Sequence, residues 1–295
     1  MSQVTRLDAV PAPGLVLLGI VSVQVGAGFA KNLFDELPPS AVVTLRLATS
    51  MIVLVFVTRK VLGASARLWT KGDLAVAAAF GLSLATMNFS IYESFARIPL
   101  GIAVTIEFLG PLGVAVAFSR RWIDVVWVLL AGGGVLLLMR GDSGSLNMAG
   151  VAFALLAGAA WAAYIMLSAA TGRRFPGSSG LALASVVGTL LVLPVGLSTG
   201  GTALLRPDVL ALGAGIGLLS SVIPYTLELE ALRRLPAKLF GILMSLEPAV
   251  AALVGFVIVG EVLQAREWAA IGCVVAACLG ATRTQGTASP EAPEA

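Results

Sequence analysis

The chain of 295 residues contains no histidine. That absence excludes a Ser-His-Asp triad, a Cys-His dyad and every His-ligated zinc site. Cysteine is nearly absent too. Cys273 and Cys278 lie five residues apart in one apolar stretch and face different directions on a helix, so neither a disulfide nor a CxxC site is expected. Charge is the third shortage. Asp, Glu, Lys and Arg make up 12% of the chain, against roughly 25% in a soluble domain. A soluble fold of this length would lack the charge to cover its surface. Disorder is excluded as well, because it needs low hydrophobicity and high charge. No metal, cofactor or enzymatic activity is expected.

Apolar surface is what the chain has in abundance. Apolar residues make up 58% of it, and the mean hydropathy is +0.97. Its natural solvent is lipid. A bilayer core of roughly 30 Å needs about 20 mostly apolar helical residues per crossing. Ten such stretches are expected, at 14–34, 39–58, 73–93, 98–119, 122–139, 148–170, 179–198, 208–230, 236–259 and 266–282. The loops between them are short, so no soluble domain is inserted. The segment 284–295, rich in Pro, Ala and Glu, reads as a disordered tail. The expected fold class is an all-α membrane protein with ten transmembrane helices.

Lys and Arg in the loops set the expected orientation. With the N-terminus in the cytoplasm, 13 basic residues fall on the cytoplasmic side and 5 on the other, with Arg46 left inside a span. The bias predicts both termini in the cytoplasm. It also accounts for the net charge of +3 without nucleic acid as a partner. Arg6 and the run ending at Gly28-Phe29-Ala30 loosely fit a signal peptide. That run is long and interrupted by Gln24, and its removal would spoil the even span count, so it reads as the first span.

The two halves resemble each other. Ala96-Arg97-Ile98-Pro99 matches Arg233-Arg234-Leu235-Pro236 at an offset of 137, and the same offset carries Glu93 onto Glu230 and Pro111 onto Pro248. Gly14 falls on Gly150 at an offset of 136. Five spans is an odd number, so the halves 1–143 and 144–283 are expected to be inverted five-helix repeats. That is a transporter architecture with the substrate site near the midplane.

A charge at mid-bilayer costs roughly 2.5–3.5 kcal/mol, so it is expected to face a cavity or a partner. Glu107 and Glu247 sit near the middle of the repeat-related spans 4 and 9. Each precedes a proline. Pro111 removes the helical partner of the Glu107 carbonyl, and Pro248 that of the Met244 carbonyl. A carboxyl group beside a bared carbonyl suits an ammonium group or a proton. Arg46 in span 2 either snorkels, pairs with one of the acids or binds a substrate carboxylate. Further cavity candidates are Gln24 with Gly28 and Lys31 on span 1, Asn88 with Tyr92 on span 3, Trp161 with Tyr164 on span 6, and Tyr225 with Glu228 on span 8; interhelical hydrogen bonding or an interfacial belt is the alternative for each. Glu93 and Glu230 read as structural charges at span ends. Gly132-Gly133-Gly134, the Gly213-Gly215-Gly217 series and Gly272-x3-Ala276-x3-Gly280 read as packing faces.

Several of these stretches resemble one known family. Ser22-Val23-Gln24-Val25-Gly26-Ala27, Pro99-Leu100-Gly101-Ile102-Ala103-Val104 leading into Glu107-Phe108-x-Gly-Pro111, Trp161-Ala162-Ala163-Tyr164-Ile165 and Phe240-Gly241-x-Leu-Met244-Ser245-x-Glu247-Pro248-Ala249 are similar to the bacterial threonine/homoserine exporters. These belong to the EamA-type branch of the drug/metabolite transporter superfamily. Many members of the wider superfamily carry a Trp in both the first and sixth spans; here Val25 stands opposite Trp161. The resemblance implies a ten-helix inner-membrane carrier that exports amino acids on the proton motive force, with Glu107 and Glu247 in its central cavity. Organic cations are the alternative cargo.

Overall fold

The computed structural model describes residues 10–65, 69–117, 121–139 and 146–284. The tail from 285 onward, and Arg6, Arg67, Arg120 and Arg140 of the charge count, lie outside the described residues. The described residues form thirteen α-helices, with no strand among them. They are α1 (Ala12–Asn32), α2 (Pro39–Ser65), α3 (Lys71–Phe95), α4 (Leu100–Glu107), α5 (Leu109–Ala117), α6 (Ile123–Met139), α7 (Met148–Gly172), α8 (Ser179–Gly200), α9 (Pro207–Gly217), α10 (Ile223–Arg234), α11 (Ala237–Met244), α12 (Glu247–Val254) and α13 (Ala265–Thr284). Among the described residues, nine helical segments are long and apolar enough to cross a membrane. The chain is therefore a multi-pass membrane protein. The expected span at 122–139 is the shorter apolar helix α6. Phe56, Val57, Leu129 and Val257 stand more than half exposed on the outer surface, where lipid is the matching solvent.

Local chemistry sets the helix ends. Thr70 opens α3 with a capping box: its hydroxyl accepts from the Asp73 N–H, and the Asp73 carboxylate accepts from the Thr70 N–H. The Asn147 side chain accepts from the N–H groups of Ala149 and Gly150 at the start of α7. Pro99 and Pro236, matched in the two halves, each stand just before a helix, α4 and α11.

Three spans are broken, and each break lies just before a proline. The fourth expected span divides at Phe108, three residues before Pro111. The ninth divides at Ser245 and Leu246, just before Glu247 and Pro248. The eighth carries a π-helical turn, Leu218–Val222, ahead of Pro224. Proline removes the N–H that would close each turn.

The broken helices pack centrally. α4 lies against α12 and α7, α5 against α7, and α1 against α10 and α12; α3 packs on α7 and α8, α2 on α8 and α9, and α6 on α13. Small residues permit the tightest crossings. Gly110 of α5 meets Gly158 of α7 so closely that a Cβ on Gly110 would overlap the Gly158 carbonyl, and a Cβ on Gly101 would come within 2.6 Å of Ala252. Of the glycine faces read from the sequence, Gly134, Gly213, Gly217 and Gly280 do pack closely, whereas Gly132, Gly133, Gly215 and Gly272 have nothing within 4 Å of a built Cβ.

Gly110→Ala should cost about 1–3 kcal/mol through overpacking. Gly113→Ala, on the same helix with nothing within 4 Å of its Cβ position, should cost far less. Thermal unfolding of the two purified variants in detergent checks this.

Candidate functional site

The helix breaks meet at one cavity of about 200 Å³. Its wall is built from α1 (Val23, Gln24, Ala27), α2 (Arg46), α3 (Met87, Asn88, Ile91, Phe95), α4 (Val104, Glu107), α7 (Trp161, Tyr164), the π turn and α10 (Ser220, Pro224, Tyr225, Glu228), and the break between α11 and α12 (Met244, Glu247). Glu107 and Glu247 are each only 8% exposed, and both face this space. They come from different halves of the sequence.

The Glu247 carboxylate accepts a hydrogen bond from the Gln24 side-chain amide at 2.8 Å. Arg46 donates through Nη2 to the Ser220 carbonyl at 3.1 Å, and its guanidinium lies 5.4 Å from the Tyr92 ring centroid. Among the described residues Arg46 forms no ion pair with an acid. Pro224 explains why its carbonyl partner exists. The missing N–H of Pro224 would have served Ser220 in an α-helix or Leu219 in a π turn. Arg46 satisfies the Ser220 carbonyl instead, and the Ser22 hydroxyl donates to the Leu219 carbonyl at 2.8 Å. The Pro224 signal was present in the sequence. What it frees becomes visible only once α1 and α2 are placed beside it.

Three buried polar atoms of the wall have no protein partner: Gln24 Oε1, Arg46 Nε and Ser220 Oγ. Gln24 is 3% exposed. Buried polar atoms of this kind are satisfied by water or a ligand. With two carboxylates and one guanidinium, they form a set that matches a small zwitterion.

The remaining expected residues divide. Asn88, Trp161, Tyr164 and Tyr225 line the cavity. Asn88 also donates to the Leu84 carbonyl of its own helix at 2.8 Å. Trp161 stands edge-on to Phe108 with ring centroids 5.0 Å apart. Tyr92 does not line the cavity. It is fully buried between Phe34 and Phe95, with Arg46 over its ring. The wall along α3 follows Asn88, Ile91 and Phe95, an i, i+3, i+7 stripe, and this turns Tyr92 toward α2. Lys31 and Gly28 also leave the cavity: Lys31 pairs with Glu261, and Gly28 packs on Val254 and Ile258. The Glu107 carbonyl freed by Pro111 faces Gly158, where a Cβ would sit 2.7 Å from it. It is therefore not a ligand group. Glu228 is a third acid of the wall. Glu93 and Glu230 pair with Arg97 and Arg234, each at 2.5 Å, at the ends of their helices. Among the described residues no cluster of three or more His, Cys, Asp or Glu is arranged to hold a metal ion.

A second pocket of about 300 Å³ lies among α5, α7, α11 and α13. It shares Trp161 and Met244 with the first, so these two side chains separate the two spaces.

The EamA-like transporter family matches residues 148–283. Threonine/homoserine exporter RhtA of Escherichia coli (strain K12) is 39% identical over 276 residues, covering 92% of this chain and 90% of that protein. RhtA of Salmonella typhimurium (strain LT2) is 39% identical over 287 residues, covering 95% and 94%. The uncharacterized transporter YwfM of Bacillus subtilis (strain 168) is 29% identical over 167 residues, 56% of each chain. A solved crystal structure, 16% identical, aligns over 91% of this chain and 96% of that one with a TM-score of 0.58, a likeness of fold alone. By its identity and coverage with the RhtA proteins, the chain belongs to the threonine/homoserine exporter family of EamA-like transporters.

Proposed function

We propose that the protein exports small amino acids, threonine and homoserine foremost, across the bacterial inner membrane by proton-coupled alternating access. The observation that carries this reading is that the buried carboxylates Glu107 and Glu247 and the Arg46 guanidinium line a single small cavity without pairing with one another. The substrate ammonium sits between Glu107 and Glu247. Its carboxylate takes the free edge of Arg46, and the side-chain hydroxyl reaches Gln24 Oε1 or Ser220 Oγ. Protons entering from outside displace the ammonium from the glutamates and release the substrate.

The architecture that serves this is ten helices in two inverted five-helix repeats, with both termini in the cytoplasm. In support, Glu93–Arg97 and Glu230–Arg234 are equivalent ion pairs at an offset of 137. The helix breaks at Phe108 and Ser245 share that offset. The shorter apolar helix α6 packs against α13, with Gly134 on Ala270 and Val274 and the Trp127 indole N–H donating to the Thr284 hydroxyl at 3.3 Å, as a tenth span would. The cavity of about 200 Å³ falls below the roughly 300–1,000 Å³ of sites for drug-sized ligands, which favours amino acids over bulky cations. The aromatic wall of Trp161, Tyr164 and Tyr225 is the feature that favours cations.

Cells expressing the protein should survive excess homoserine and gain no protection against lipophilic cations; the reverse pattern selects the cation reading. In inverted vesicles, Glu107→Gln and Glu247→Gln should each slow transport driven by a pH gradient by about tenfold, the scale of one lost charge-assisted hydrogen bond. Normal rates with normal pH dependence in both variants would remove the coupling role. Arg46→Lys keeps the charge but loses the planar fork. It should raise the KM for homoserine by about tenfold, measured as labelled uptake into the same vesicles.

A further inference from the structure

Helix α1 passes three glutamates of the second half. At its first turns lies the pole of the molecule that carries Arg233 and Arg234, because Leu15 and Val16 pack on Ala231. Near that pole, Gly19 abuts Glu228: a Cβ there would sit 3.5 Å from Glu228 Cγ. Gln24 bonds Glu247 at 2.8 Å. At the opposite pole Lys31 pairs with Glu261 at 2.6 Å. At 1.5 Å per residue these contacts are spaced about 7.5 and 10.5 Å along the axis, so the carboxylates stand at three depths.

The outermost carboxylate is ion-paired through one oxygen and hydrogen-bonded through the other. Glu261 Oε1 takes the Lys31 ammonium, and Oε2 accepts from the Leu100 N–H at 2.8 Å. The same ammonium donates to the Ile98 carbonyl at 2.7 Å, and Asn32 donates to the Ile258 carbonyl at 3.2 Å. Gly260, at φ +77°, turns the chain back after α12, and a Cβ on Gly255 would collide with the Glu261 carboxylate. The end of α1, the start of α4 and the segment after α12 are thus tied together. The tie sits one turn beyond Ala27 and Val104, which line the cavity.

Glu228 differs. It lines the cavity, and among the described residues no Lys or Arg forms an ion pair with it. The residues of the tie do not recur in the other half of the sequence. At the repeat offsets, Glu261 corresponds to Asp124 and Lys31 to Leu167. Asp124 accepts from the Thr284 hydroxyl at 3.1 Å instead of holding a cation. The orphaned Gln24 Oε1, between the two ends, points to a polar ligand on this track.

We infer that Glu228 is the carboxylate that receives the substrate's ammonium group from the Arg234 pole, and that Lys31 on Glu261 shuts the opposite pole while it does so. This rests on the amino-acid export reading and names its loading side. A primary ammonium meets an acid with no ion pair among the described residues at one end and a tethered competitor at the other.

The test uses the full chain in vesicles of both orientations, with labelled homoserine presented to one pole at a time. Glu228→Gln should raise the KM about tenfold for substrate arriving at the Arg234 pole and leave it unchanged from the Lys31 pole, with Glu228→Asp restoring most of the affinity. In a second arm, Ala27→Cys is introduced with Cys273 and Cys278 replaced by alanine, and a membrane-impermeant maleimide is added at the Lys31 pole. Labelling should be slow with Lys31 present and about tenfold faster after Lys31→Gln. An equal KM change from both poles, no KM change, or labelling indifferent to Lys31→Gln overturns the inference. If Glu228→Gln does not insert, Glu228→Asp and the labelling arm still decide. An unsubstituted chain that moves no amino acid refutes the export reading instead, and the labelling arm still reads the closure.

Discussion

Inside hydrocarbon every backbone carbonyl must find its partner within the protein. This chain places prolines where three central helices would otherwise satisfy themselves, and the site grows out of how the freed carbonyls are dealt with. The Glu107 carbonyl is pressed against Gly158, a contact possible only because neither Gly110 nor Gly158 has a side chain. The Ser220 and Leu219 carbonyls are taken by Arg46 and Ser22. A guanidinium at mid-depth is thereby anchored to the backbone of another helix, with part of its donor edge left over for something else.

That anchoring explains how one cation and three acids share a small buried space without collapsing into salt bridges. Arg46 is held by a carbonyl and an aromatic face, Glu247 by the Gln24 amide. A direct Arg–Glu pair would satisfy both partners and leave nothing for a ligand. Held apart, each keeps unspent hydrogen-bonding capacity, which a buried site can hold only if something polar visits it.

The likeness between the two halves of the sequence concerns helix breaks and ion pairs more than the chemistry of the cavity. Matched prolines, matched helix breaks and matched Glu–Arg pairs recur at one offset. The groups that touch the cavity do not: Arg46, Gln24 and Glu228 have no equivalents of the same type. The matched positions include two helix breaks, whereas the cavity's polar side chains are unmatched.

Much of this was legible in the residues alone. The shortage of charge and histidine, the long apolar runs and the placement of Glu107 and Glu247 beside Pro111 and Pro248 depend only on composition and on local rules of helix chemistry. So they pointed to a membrane-spanning helical fold with two kinked, acid-bearing spans. Other features were illegible because they depend on which faces meet. Tyr92 shares a helical face with Asn88, yet the cavity wall follows a stripe one residue away. Lys31 lies on the same face of α1 as Gln24, yet it ends at Glu261, 230 positions later. Pro224 was plainly visible as a proline, but Arg46 as its beneficiary is 178 positions distant. Sequence periodicity settles where a side chain points relative to its own helix axis. Only the packing of helices against one another decides whether that direction ends in a cavity, a partner or lipid.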